Sequence, residues 1–120
     1  MNRWVDLWHD QNPPRASIEA LFSDDATWAY QPYDAAPARG RDSIVERWRV
    51  NIDPPGSWES SYEPFAMDGD VAIATGWSRY SATAGAARDA EFRKLLVCRF
   101  TADGRCRELV EWYMEVPADA

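Results

Sequence analysis

Residues 90–116 read AEFRKLLVCRF TADGR CRELVEWYMEV, two apolar-rich runs either side of an Asp103-Gly104 turn signal, and their pairing decides the fold. With Asp103-Gly104 as a two-residue turn, Leu96 faces Glu111, Lys94 faces Tyr113 and Cys98 faces Leu109. A four-residue loop slips this register but keeps the same residues on one face, whereas a three-residue loop inverts it. On the even reading Cys98 and Cys106 point to opposite faces, which disallows a disulfide between them and leaves two free thiols.

Working back from this hairpin, strands are expected over 58–67, 70–80, 90–101 and 105–116. They are joined by Asp68-Gly69-Asp70, by an Ala/Gly-rich loop over 82–89, and by the 102–105 turn. In the second strand Val71, Ile73, Thr75, Trp77 and Arg79 are large, while Ala72, Ala74, Gly76 and Ser78 are small. The bulky side is expected to face the interior and the small side to admit close approach from outside. Upstream, Ala26–Gln31 has strand composition and stops at Pro32. Three helices are expected: residues 3–10, capped by Asn2; a second from Pro14 through Ile18, Leu21 and Phe22; and a third opened by the Ser43…Glu46 capping box, with Ile44, Val45, Trp48 and Ile52 on one face. Helices first and an antiparallel run afterwards is an α+β arrangement.

A chain of 120 residues is expected to form one domain, residues 1–120, with enough core to fold unaided. Twenty acidic against thirteen basic residues leave a net charge of −7 with no basic stripe, which argues against nucleic-acid binding. No leader-like or membrane-spanning apolar run is visible, so a soluble, cytoplasmic protein without membrane attachment is expected. One histidine and two cysteines do not suffice for a zinc cage, and neither metal nor cofactor is expected. Seven tryptophans, five tyrosines and four phenylalanines exceed what closing so small a core requires, which suggests an aromatic concavity.

Several short motifs in sequence order carry a resemblance: Leu21-Phe22-Ser-Asp-Asp25-Ala-Thr-Trp28, Pro32, Arg39-Gly40-Arg-Asp-Ser-Ile44, Asp70-Val-Ala, and Phe100-Thr-Ala-Asp-Gly-Arg105. Together they resemble the SnoaL-like branch of the nuclear-transport-factor-2-like superfamily across nearly the whole chain. The resemblance implies a cone-shaped fold in which a curved antiparallel sheet wraps the N-terminal helices and encloses a pocket. It also implies frequent homodimers formed through the outer face of the sheet. Functions in the superfamily range from isomerases and cyclases to binding-only proteins, so the fold leaves activity open. Ketosteroid isomerases of this fold carry a basic aspartate before a proline, where this chain has Gln31 or Tyr30. Their oxyanion-binding tyrosine and aspartate correspond to Trp4 and Leu96, so all three parts are missing. SnoaL-like cyclases place a carboxylate seven residues after the hairpin glycine, and here that position is Glu111.

Glu111 is therefore the catalytic candidate. Alternation with Leu109 and Tyr113 buries it, and a buried carboxylate must find a partner or take up a proton. Lys94 and Arg79 are the expected partners, either tuning an acid/base group or closing the pocket mouth as a structural ion pair. A ligand wall is expected from Trp8, Tyr30, Gln31, Trp48, Thr75, Trp77, Leu109 and Tyr113 together with Arg79 and Lys94. The expected ligand is a small organic molecule, carbonyl-containing or polyketide-like, turned over by cofactor-free acid/base chemistry; the alternative is a catalytically silent ligand- or protein-binding dimer. His9 is read as solvated or at the rim, and Cys98 as a small hydrophobe in the core.

Overall fold

Alternating β-branched and aromatic residues, punctuated by Asp-Gly turns, build a sheet of six strands in the order β2-β1-β6-β5-β4-β3. The computed structural model describes residues 6, 8–10, 12–50 and 53–118. In chain order the elements are α1 (Arg15–Glu19), β1 (Phe22–Tyr30), β2 (Ala38–Arg39), α2 (Arg41–Val50), β3 (Trp58–Asp68), β4 (Val71–Tyr80), β5 (Ala90–Phe100) and β6 (Cys106–Glu115). Asp6, Trp8 and His9 are helical; Asn2, Trp4 and the rest of the expected 3–10 helix, like Ile52, lie outside the described residues. The expected loop 82–89 holds one 3-10 turn, Ala82–Ala84. The sheet is α+β in architecture, curved and not closed, with the helices on its concave side.

The meander falls within a residue of expectation, and the N-terminal half departs from it for local reasons. β1 starts at Phe22, not Ala26, because the carbonyl of Leu21 accepts the N–H of Cys106 at 2.7 Å and Phe22 pairs with Cys106. β1 is thereby drawn into a parallel ladder with β6, the one parallel pair in an otherwise antiparallel sheet. α2 starts at Arg41, not Ser43. Gly40, at φ 88°, turns the chain out of β2 while its N–H donates to Ala26 O at 2.8 Å and its carbonyl accepts the N–H of Ile44 at 3.1 Å; only glycine takes that φ without strain.

The core lies between α2 and the concave face. Ile44, Val45 and Trp48, at i, i+1 and i+4, present one stripe to Phe22, Leu96 and Leu109, all buried. Burying a residue such as Ile44 or Leu96 contributes roughly 1.5–3 kcal/mol each.

The β5–β6 register is as read from the sequence, with Lys94 opposite Tyr113, Leu96 opposite Glu111 and Cys98 opposite Leu109. The turn itself is longer, and an irregularity between Arg99 and Phe100 absorbs the odd residue so that Phe100 pairs with Cys106. That shift corrects the reading of the cysteines. Cys106 joins Cys98 on the concave side, both fully buried in one core, both free thiols. The neighbouring Cys106 thiol and burial together push the Cys98 thiol well up, so it behaves as a hydrophobe.

The sidedness of β4 is also corrected. Ala72, Ala74 and Ser78 are the buried residues, so the small side faces the interior and Val71, Ile73, Thr75, Trp77 and Arg79 face outward. The reason is that the space over β4 is already taken by large rings from other elements, chiefly Tyr62, Trp48 and Trp8. At Gly76 a Cβ would lie 2.3 Å from Tyr62 Cδ1 and 2.4 Å from the Ser61 carbonyl, so any side chain there displaces the ring above it.

Candidate functional site

A cavity of about 270 Å³ opens on the concave face, and nine of its fifteen lining residues are aromatic. Its position follows from one row of the sheet. Tyr62 on β3 pairs with Gly76 on β4, Gly76 with Lys94 on β5, and Lys94 with Tyr113 on β6. Because Gly76 has no side chain, the Tyr62 ring lies across it, and its hydroxyl and the Lys94 ammonium act on one another electrostatically.

Glu111 forms the floor and is 3% exposed. Trp28 Nε1–H donates to its Oε2 at 2.9 Å, and Lys94 Nζ lies 3.8 Å from its Oε1. Burial raises the carboxyl pKa, and Lys94, Trp28 and Arg47 pull it only part of the way back. Lys94 answers in the other direction: burial pushes it down, but Tyr62, Glu111 and Tyr80 outweigh that and hold the ammonium above its usual value. Burial pushes the Tyr62 hydroxyl up to about 12, so it is a neutral hydrogen-bonding group at physiological pH.

Arg47, from α2, closes the β1 side. Its guanidinium donates to the carbonyls of Trp28 at 2.9 Å and Ala36 at 2.7 Å, stands 4.5 Å from the Tyr30 ring centroid and pairs with Asp34 at 3.5 Å. The N–H groups of Tyr30 and Ala36, with Arg47, hold the Asp34 carboxyl below its usual range. The opposite side is aromatic: Trp58 stacks on Tyr80 at 6.4 Å and Tyr80 meets Phe92 edge-on at 5.8 Å. Over the floor, Trp8 packs on Trp48 at 4.5 Å and on Trp28 at 5.7 Å.

Of the residues the sequence nominated, Trp8, Tyr30, Trp48, Lys94, Glu111 and Tyr113 meet in this cavity. Thr75, Trp77 and Arg79 do not, because they lie on the convex side; Arg79 covers the Trp77 ring at 4.4 Å and pairs with Glu91 and Glu59. Trp28 takes the place expected for Arg79 beside Glu111, and Arg47 acts on the carboxylate only through its field. Leu109 is fully buried core beneath the cavity rather than part of its wall. Gln31 is a clasp: its Nε2 donates to the Tyr113 carbonyl at 2.6 Å and its Oε1 accepts the Tyr113 N–H at 3.3 Å, tying the ends of β1 and β6. His9 is exposed at the edge of the sheet, where its Nε2 accepts the Tyr62 N–H at 2.8 Å.

The wall residues that sequence reasoning missed include Trp28, Tyr62 and Ser78. Trp28 was within reach, two residues before Tyr30 on the same strand face. Tyr62 was hidden by an irregularity between Pro64 and Ala66. Counting back evenly from the Asp68-Gly69-Asp70 turn puts Glu63 opposite Gly76; the extra residue, Phe65, brings Tyr62 there instead. Ser78 followed the inverted reading of β4.

The profile of the SnoaL-like domain family matches residues 1–109. Among solved structures, a nuclear-transport-factor-2-like protein of unknown function from Burkholderia pseudomallei K96243 is 20% identical with a TM-score of 0.64, over 83% of this chain and 78% of that one. A similar protein of unknown function from Exiguobacterium sp. 255-15 is 17% identical with a TM-score of 0.67, over 94% and 96%. A putative SnoaL-like polyketide cyclase from Jannaschia sp. CCS1 is 10% identical with a TM-score of 0.66, over 82% and 71%. At these identities the likeness establishes the fold. No curated protein matches the sequence.

Proposed function

We propose that this chain, which belongs to the SnoaL-like domain family, binds a small, partly aromatic carbonyl compound in the concave cavity and moves a proton on it with Glu111. The observation that carries this is the pairing of a fully buried carboxylate with a buried ammonium on the floor of an aromatic cavity. A carboxylate whose pKa is raised by its surroundings is a net cost to the fold when ionised, so stability gives no reason for its charge. A raised pKa also brings the group toward neutrality, where a general base is most effective.

In the reaction, Glu111 accepts a proton from the carbon next to the ligand carbonyl, and the C–H electron pair moves onto the carbonyl oxygen. Lys94, held by Tyr62, stabilises the developing oxyanion. Return of the proton to another position completes an isomerisation, and attack of the carbanion on a second carbonyl, whose oxygen takes the electron pair and then the proton from Glu111, completes a cyclisation. Tyr113, at the end of the same row, donates to a further ligand oxygen.

The bicyclic enolisable ketone 2-tetralone tests this. The expected result is quenching of tryptophan fluorescence by the ketone, and in deuterium oxide an exchange of its α-hydrogens faster than in buffer, lost in Glu111→Gln. Quenching without exchange would leave a binding-only protein; neither effect would overturn the reading.

A homodimer through the convex face belongs to the same proposal. Leu95, Trp112 and Met114 are 38%, 48% and 77% exposed and adjoin Thr75, Trp77 and Val97 across β4–β6, a cluster of exposed apolar side chains of the kind that marks an interaction surface. Analytical ultracentrifugation is expected to give a dimer, and Trp112→Asp a monomer that keeps the cavity.

A further inference from the structure

The cavity is electrically polarised, and among the described residues its charges are not all paired. At the β1–β6 side each cation has its own carboxylate: Lys94 has Glu111 and Arg47 has Asp34. At the β3 side the wall contains Asp10 and Asp53, and neither has an ion-pair partner among the described residues. Both acids are carried by segments docked on the first residues of β3. Trp8 and His9 are fastened there by Ser60 Oγ donating to the Trp8 carbonyl at 3.4 Å and by the Tyr62 N–H donating to His9 Nε2. Asp53 is fastened by Trp58 Nε1–H donating to its carbonyl at 3.2 Å. The two acids therefore belong to one end of the cavity, on segments that also carry or hold Trp8 and Trp58.

A second observation points to a ligand. Ser78 is 1% exposed, lines the cavity, and its Oγ has no hydrogen-bond partner among the described residues. A buried hydroxyl without a partner is costly, and the cavity is where a ligand oxygen would supply one. The same inner face places Ser78 two residues from Gly76, diagonal to Lys94 on β5.

From these positions, and resting on the small-molecule reading above, we infer that the ligand is a protonated amine carried on an aromatic ring that also bears a hydroxyl or carbonyl oxygen. The oxygen points to Ser78 and Lys94, the ring lies among the tryptophans, and the ammonium sits between Asp10 and Asp53 over the Trp58 side. An ammonium gains there both from the carboxylates and from the aromatic faces. An anionic ligand of the same shape meets two carboxylates that have no ion-pair partner among the described residues, under a net chain charge of −7, and is disfavoured. The volume of about 270 Å³, roughly nine waters' worth at ~30 Å³ each, suits one or two rings with a short side chain.

Three probes of one shape separate the charge from the ring: 4-hydroxyphenethylamine, 4-hydroxyphenethyl alcohol and 4-hydroxyphenylacetate, titrated into the intact protein and followed by NMR. The amine is expected to bind about fivefold tighter than the alcohol, as a partly exposed ion pair allows, and the acetate weakest of the three. Raising the salt should narrow the gap between amine and alcohol. In the double variant Asp10→Asn, Asp53→Asn the preference for the amine should vanish while the alcohol binds as before; asparagine keeps the oxygen that accepts the Asn12 N–H at 2.9 Å. Ser78→Ala should weaken all three to a similar degree. If the alcohol or acetate binds as tightly as the amine, or the amine keeps its advantage in the double variant, the inference is overturned and the small-molecule reading stands. If none of the three binds while 2-tetralone does, the inference again falls alone. Failure of 2-tetralone as well would remove both.

Discussion

The two faces of strands β4–β6 are made by the same residues taken alternately, and they differ in what each position must avoid. On the concave face a large side chain over the middle of β4 meets rings descending from α2, β3 and the N-terminal segment, so β4 presents Ala72, Ala74, Gly76 and Ser78 there, and the larger side chains of β4–β6 that line the cavity are Tyr80, Phe92, Lys94, Glu111 and Tyr113. On the convex face nothing among the described residues covers the sheet, so bulk is permitted, and Trp77, Leu95 and Trp112 stand there partly exposed. Size therefore marks the outside of β4 rather than its inside. What looked like a smooth outer surface is the seat of the cavity.

The difference can be broken most severely at Gly76. Gly76→Ala puts a methyl into the Tyr62 ring and the Ser61 carbonyl, and a loss of about 3 kcal/mol is expected from chemical denaturation; an unchanged midpoint would mean the ring does not lie across the glycine. Lys94→Met comes next, because it leaves Glu111 buried without its cation. A cost of about 3 kcal/mol is expected at pH 7, smaller at pH 4, where the carboxyl is protonated and needs no partner. Equal losses at both pH values would show that the ion pair is not formed.

Glu111→Gln sharpens the same point with the opposite sign. A folded-state pKa above the unfolded value means the wild type bears no ionisation cost at pH 4 and accumulates one as the pH rises through the unfolded value of about 4.5 toward the folded one. The variant lacks that cost but leaves the Lys94 ammonium buried without its carboxylate at every pH, so thermal melts should show the wild type gaining on it between pH 7 and pH 4. A difference that does not change with pH, or a wild type that gains on the variant toward pH 7, would mean the Glu111 pKa is not raised and would weaken its case as the proton carrier. The smallest effect belongs to the convex side. Trp77→Ala loses a ring covered by exposed Arg79, and less than about 1 kcal/mol is expected, with no change in ligand binding; a larger effect on binding would place the cavity on the wrong face.

Much of the site was legible because β-hairpin register is a counting rule. The Asp103-Gly104 signal placed Lys94 opposite Tyr113 and Leu96 opposite Glu111, and alternation then buried Glu111. The same counting failed for Tyr62, where one extra residue beside Pro64 moved every upstream residue of β3 by one position, and for Cys106, where an irregularity at Phe100 did likewise. Arg47 and Asp53 were beyond counting altogether: they reach the cavity from α2 and the segment after it, and no spacing within the strands predicts where a helix lays its side chains.

The sequence by itself determined the α+β order, the meander and the burial of one carboxylate, because propensity, turn chemistry and two-residue alternation are local properties. Only the tertiary structure decided which face of β4 is inside, which cation stands beside Glu111, and that Asp10 and Asp53 share a wall. Those outcomes depend on how much volume distant segments deliver over each face of the sheet, and that is a property of packing rather than of any stretch of chain.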